Sequence, residues 1–165
     1  MTRPSDLPDP PSPNGRGVIV PATQAAWRRW LTRHPDRTEG VWVVHRKKSS
    51  SLVGPDYDEL LEEALADHRA IGNALGEFNT LILLSAAGHF LGDPRVVQFS
   101  QQALEIAESH GAQSSRGYAL WSVGIARYGE GDFGRAATAL RESIEQFLPL
   151  NDLTGISFGV QALSW

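Results

Sequence analysis

The dipeptide Gly92-Asp93 returns as Gly131-Asp132, 39 residues later, and each copy stands between two stretches with helical spacing of similar length and polarity. A period between about 20 and 50 residues marks an array of supersecondary units, each of which buries its apolar face by stacking on the next. The expected fold is therefore mainly α: two helical hairpins and one further unpaired helix, behind a small α/β N-terminal segment. At offset 39, Leu81 falls on Leu120, Leu84 on Val123, Ser85 on Gly124 and Ala87 on Ala126. Such apolar matches arise in any two amphipathic helices, so the repeated Gly-Asp turn is the diagnostic pair.

The pattern predicts helices over Ala74 to Phe90, from Asp93 to about Ser109, over Ser115 to Tyr128, and over Phe133 to Phe147. A fifth runs from Asp152 to Trp165. In the first, Leu75, Phe78, Leu81, Ile82, Leu84 and Ser85 form the apolar side. At the turn, Gly92 supplies a permissive backbone, Asp93 is placed to cap the second helix, and Pro94 suits its first position, where its missing N–H has no partner to lose. Val97, Ala103, Leu104 and Ala107 are expected inward, and Gly111 is expected to stop that helix. The fourth helix aligns with the second after one added residue, Ala103-Leu104 opposite Ser143-Ile144.

Ahead of the array, three segments differ in composition. Residues 1–17 hold five prolines with Asp6 and Asp9, too little apolar content to offset ordering entropy, and read as a disordered tail. Residues 18–66 carry strand signals at Val18-Ile19-Val20 and Val41 to His45. Between them Ala26, Trp27, Trp30 and Leu31 have helical spacing. Asp56, three residues before Glu59, has the form of a capping box opening an acidic helix through Ala66. From Asp67 to Trp165 the strand signals vanish.

Charge and residue usage exclude several classes. Residues 1–66 hold nine Lys/Arg and nine Asp/Glu, whereas 67–165 hold six Arg, no Lys and ten acids. An acidic helical half repels phosphate backbones, so no nucleic acid partner is expected. The chain has no cysteine, which removes thiolate chemistry and fits a reducing cytoplasm. No charged-then-apolar leader and no 18-residue apolar run were found, so neither export nor a membrane partner is expected. His34, His45, His68, His89 and His110 lack metal-ligand spacing, and no Ser/His/Asp set is visible; no metal, cofactor or enzymatic activity is expected. The cations of His45-Arg46-Lys47-Lys48 read best as a solvated strand end, although they have the chemistry to bind phosphate. Glu59, Glu62 and Glu63 are accounted for by the helix macrodipole.

Gly124, Gly131-Asp132-Phe133, Ala136 and Leu140 fall at spacings similar to the tetratricopeptide repeat, with a unit nearer 39 residues than the usual length of about 34. The run from Tyr118 to Gly124, Gly131-Asp132, Leu140 to Ser143, and Asp152 through Gly155-Ile156 to Leu163 and Trp165 resembles the helical repeats of bacterial LuxR-class ATPase regulators. That resemblance covers about 67–165 and implies a region that receives effectors or partner proteins. The phosphate loop G-x-x-x-x-G-K-[ST] is missing, so ATP hydrolysis and DNA binding do not come with it. Trp27, Trp30-Leu31, His34, Gly40, Trp42, Lys47-Lys48, Tyr57 to Glu59 and Glu62 to Leu65 resemble the opening of the YdeI/OmpD-associated bacteriocin-protection family.

In repeats of this kind the first helix of each pair lines a groove, and Tyr118, Trp121 and Tyr128 share one side of such a helix. With Asn79 and His89 they are candidates to meet a protein, peptide or small effector. The alternative, that Trp121 and its neighbours simply pack between helices, is the plainer reading. The unpaired last helix, with Ile156, Phe158, Leu163 and Trp165, is expected to leave an apolar end that self-association or a partner covers. Two other functions stay open: a bacteriocin-protection or stress protein acting through 18–66, and a truncated fusion product without selected function.

Overall fold

The structure is a computed structural model and describes residues 16–34, 40–46 and 54–165. The disordered-tail expectation for 1–17 and the cations Lys47 and Lys48 lie almost wholly or wholly outside the described residues. The fold is mainly α, with seven α-helices and one two-stranded sheet among the described residues. The chain divides into two compact units, 1–63 and 64–165.

In the first unit, β1 (Val18–Ile19) and β2 (Trp42–Val43) pair in parallel, Val18 opposite Trp42. A parallel pair needs a crossover connection, and α1 (Gln24–Arg33) lies on it. Thr23 caps α1, its side chain accepting from the Ala26 amide. Trp27, Trp30 and Leu31 are half-buried, and α1 has no fully buried residue. Trp27 stacks on Trp30, and Trp30 on His34. The capping box forms reciprocally: the Glu59 amide donates to Asp56 Oδ1 at 3.0 Å, and the Asp56 amide to Glu59 Oε2 at 2.8 Å. It opens α2 (Tyr57–Ala70), which runs four residues past the expected Ala66.

The second unit holds α3 (Ala74–Leu91), α4 (Val96–His110), α5 (Gln113–Gly129), α6 (Phe133–Phe147) and α7 (Leu153–Leu163). Helices α3 and α4 pack as one hairpin and α5 and α6 as the next. The stacking is regular: α5 also touches α3 and α4, while α7 touches α5 and α6. Small polar residues permit the close approach of α3 and α5, where buried Ser122 donates to buried Ser85 at 2.7 Å. Ser143 of α6 donates to the Gly117 carbonyl of α5 at 2.8 Å, so its buried hydroxyl is satisfied as well. Residues 96–107 and 136–147 carry the same succession of buried, half-buried and exposed positions at all twelve sites.

The two Gly-Asp turns are alike at glycine and differ at aspartate. Gly92 and Gly131 both adopt left-handed backbone, φ 69° and 81°, which glycine takes without a Cβ penalty. Asp132 caps α6, with Oδ1 accepting from the Arg135 amide. Asp93 instead accepts from the Arg95 amide at 2.8 Å, and α4 starts only at Val96, so the expected cap by Asp93 with Pro94 in the first helical position is corrected. The matching buried positions Val96 and Ala136 stand three residues after Asp93 and four after Asp132, so the one added residue lies between the turn and the core of the second hairpin.

Four inward assignments also change. Leu75 is 65% exposed, and Ile82, Val97 and Leu104 are half-buried; the buried set of α4 is Val96, Phe99, Ser100, Ala103 and Ala107. The expectation that no 18-residue apolar run exists is corrected too, since α3 reaches a mean hydropathy of 1.2 over 18 residues, enough to cross a membrane by length and composition. One third of that window is buried, with Phe78, Leu81, Leu84 and Ser85 among the buried residues, as in a core helix packed on one side.

Candidate binding cleft

Alanine leaves room that larger neighbours wall in, and this is how a cleft arises between α5, α6 and α7. Its volume is about 410 Å³, and it is open to solvent. Ala136, Ala137 and Leu140 of α6 line it with Ala162 and Leu163 of α7. Tyr128 from the last turn of α5, Phe133 at the start of α6, and Trp165 just beyond α7 supply aromatic rings. The Tyr128 ring meets Phe133 edge-on at 5.3 Å and Trp165 at 5.9 Å. His89, near the end of α3, stacks parallel to Trp165 at 6.2 Å and meets Phe90 edge-on.

No lining residue is charged. Apolar, aromatic-walled concavities of roughly 300–1,000 Å³ are the usual form of ligand pockets. This one offers shape and π-faces, and Tyr128 contributes the phenol as a polar handle. A second concavity of about 410 Å³ runs along Gln24, Ala25, Arg28, Arg29, Thr32 and Arg33. All six lie on one face of α1, so among the described residues it is a furrow on a single helix without an opposing wall.

The residues singled out in the sequence separate into three groups. Tyr128, Leu163 and Trp165 come together in the cleft, with His89 behind the Trp165 ring. Tyr118 and Trp121 engage in helix packing. The Tyr118 ring lies edge-on to Phe147 at 4.7 Å, and its hydroxyl donates to Asp152 Oδ2 at 3.0 Å. Burial raises the Tyr118 pKa above 10.0, aided by the bond to Asp152 and the negative charge there. Trp121 packs on Ile125, Leu140 and Ala162 and stacks on Phe158 at 5.5 Å; its Nε1 is buried without a hydrogen-bond partner among the described residues. Asn79 is exposed on α3, Ile156 is half-buried, and Phe158 is exposed on α7 apart from its Trp121 contact.

Sequence reasoning missed Phe133, Ala136, Ala137, Leu140 and Ala162 as cleft residues. Phe133 had a signal, a large aromatic directly after a Gly-Asp turn. The alanines had none, because an alanine on an amphipathic helix reads as ordinary packing. In the cation cluster, the His45 ring contacts Tyr57 at 5.5 Å, and Arg46 donates to the Gly54 carbonyl and pairs with Asp56.

The model of one family, a domain of unknown function (DUF8412), matches residues 19–67. That segment holds β2, α1 and most of α2, and α3 to α7 lie outside it. No curated protein and no solved structure matches the chain.

Proposed function

We propose that this protein is a non-enzymatic scaffold of tetratricopeptide-like helical repeats that binds a protein or peptide partner, or an effector, in the bacterial cytoplasm. Its role is similar to that of the repeat region of LuxR-class regulators. The observation that carries this reading is the uncharged, aromatic-walled cleft between α5, α6 and α7. A rigid helical framework presents Tyr128, Phe133 and Trp165 around a floor of alanines, the geometry that takes up an apolar side chain or a flat small molecule. Aromatic anchors in a desolvated hollow supply most of the energy at such contacts.

The test is affinity capture with the tagged full chain, read by quantitative mass spectrometry, beside Ala137→Trp and Phe133→Ala. Ala137 is half-buried and Phe133 is 62% exposed, so both variants are expected to fold. Filling the cleft or removing one wall is expected to deplete one specific ligand set. An unchanged set for both variants would reject the cleft as the site.

A second reading is favoured by the family match on 19–67, which marks that segment as a module occurring in other proteins. In this reading the protein acts through its N-terminal unit, as the YdeI-like resemblance implies, and the helices stabilise it. Trp42→Ala, at an exposed position of β2, discriminates in the same affinity capture: it depletes the captured ligand set in this reading and leaves it unchanged in the scaffold reading.

A further inference from the structure

The three aromatic rings that border the cleft have planes steeply inclined to one another. The Tyr128 ring stands 63° from Phe133 and 57° from Trp165, with centroids 5.3 and 5.9 Å away. Phe133 is 62% exposed and Trp165 50%, so much of each ring is bare. His89 stacks parallel to the indole of Trp165 at 6.2 Å and holds its plane. The repeat itself does not require these rings. At offset 39, Phe133 falls on Pro94 and Trp165 on Ala126, so the set belongs to the second hairpin and not to the shared pattern.

Ring faces carry the negative lobe of the aromatic quadrupole, and a cation within about 6 Å of a ring centroid is attracted to it. Faces inclined in this way can all be presented to one point in the hollow. An anion has nothing to meet there. No lining residue is charged, and the arginines on either side of the turn are held by carboxylates, Arg127 by Glu130 at 2.8 Å and Arg135 by Asp132 at 3.3 Å. A primary ammonium fits poorly too, because it would trade its water for the Tyr128 oxygen, the one side-chain acceptor in the lining. Full methylation removes that cost. A trimethylammonium group has no N–H to satisfy, and its methyls suit a floor of Ala136 and Ala137. At longer range, residues 67–165 hold six Arg and ten Asp/Glu, a field that draws cations in.

We infer that the cleft takes a quaternary ammonium group, held over the faces of Tyr128, Phe133 and Trp165. The group arrives as a free choline-like effector or as the trimethyllysine of a peptide. This rests on the cleft being the binding site and narrows what enters it.

Calorimetric titration of the full chain separates charge from shape. One arm compares choline with its uncharged isostere, in which tert-butyl replaces trimethylammonium. The other compares acetyl-trimethyllysine amide with the matching tert-butyl compound, and the tighter of the two cations identifies the source. The cation is expected to bind about tenfold more tightly than its isostere. Phe133→Leu keeps an apolar wall but removes a π-face, so it is expected to weaken the cation about fivefold and leave the isostere unchanged. Circular dichroism verifies the fold of this variant, whose substituted side chain is mostly exposed. Isosteres that bind as tightly as the cations, no binding of either cation, or a folded Phe133→Leu variant that loses cation and isostere alike would each overturn the inference. The cleft itself is judged apart from this, by the capture experiment with Ala137→Trp: depletion there, with cation and isostere bound equally, rejects the ammonium group and keeps the site.

Discussion

Phe147 is the largest fully enclosed side chain of the helical unit, at 0% exposure, and two glycines make the space for it. A Cβ at Gly155 would lie 2.6 Å from three atoms of the Phe147 ring, and one at Gly117 would lie 2.6 Å from its far edge. The ring also has Tyr118 against it, so it has little room to retreat. In an unobstructed helix, Gly→Ala stabilises by about 1 kcal/mol. At Gly155 that gain is opposed by overpacking, about 1–3 kcal/mol, and the enclosure of the ring argues for the upper end. The net expectation is a loss of about 2 kcal/mol, or a fall in Tm of roughly 8–15 °C for a unit of this size. Gly134→Ala is the control: a Cβ there meets nothing within 4 Å, and the substitution should be neutral or stabilising. Thermal melts followed by circular dichroism read both variants. Coupling provides the sharper measurement. Phe147→Ala should cost about 3–5 kcal/mol by itself, and in that background Gly155→Ala should no longer destabilise, giving an interaction energy of about 2–3 kcal/mol. A Gly155→Ala protein that melts at or above the wild type would refute the reasoning.

Other substitutions probe other parts of the chain. Glu63 is buried and takes a two-pronged bond from the Arg28 guanidinium, with Gln24 beside it. Arg28→Ala leaves that carboxylate with too few donors and is expected to cost about 1–3 kcal/mol in a urea titration of the full chain. Because the pKa of Tyr118 is raised in the folded state, folding holds the phenol proton more tightly than the unfolded chain, whose tyrosine titrates near 10.0. Its contribution is intact below that pH and is lost as pH rises through the folded value, so Tyr118→Phe should show a flatter alkaline limb in melts taken across pH 8 to 11. The same substitution should cost about 0.5–1.5 kcal/mol at neutral pH, from the lost bond to Asp152. Trp121→Phe removes a buried N–H that has no acceptor. The relief of about 1–3 kcal/mol should offset much of the lost packing, leaving stability, measured by chemical denaturation, nearly unchanged.

The helices were legible because their signals are local. Thr23, the Asp56/Glu59 box, Gly111 and Asp132 each fix an end through a backbone conformation or a hydrogen bond reaching at most four residues away. Phe133 to Phe147 could be read to the residue for that reason. Asp93 shows the limit of a local signal. Its carboxylate can bond an amide two or three residues on, and the Pro-Arg that follows makes it close a turn ahead of Val96 in place of capping a helix. The cleft depends on contacts between α5, α6 and α7, and its floor is alanine, which carries no pattern in one dimension. Tyr118 illustrates the converse: it had the spacing of a groove residue, yet Asp152, 34 residues away, holds its hydroxyl.

The cleft and the enclosed Phe147 ring follow from one redistribution of volume. Helices α4 and α6 bury the same positions, 40 residues apart, but fill them in opposite order. Where α4 has Val96 and Phe99, α6 has Ala136 and Ala139; where α4 has Ala103 and Ala107, α6 has Ser143 and Phe147. In α4 the bulk lies at the N-terminal end of the helix, and in α6 at the C-terminal end. Moving it empties the space beside Ala136 and Ala137, which Tyr128, Phe133 and Trp165 then wall in. It also crowds the other end, where only glycine at positions 117 and 155 leaves room for the ring. Close packing tolerates such an exchange when total volume is kept, so a hairpin of unchanged fold gains a hollow without losing its core. Refilling the hollow with Ala136→Val, the α4 residue at that position, should therefore reduce ligand uptake at the cleft in affinity capture while circular dichroism shows the fold retained, an outcome that separates a binding defect from a folding defect.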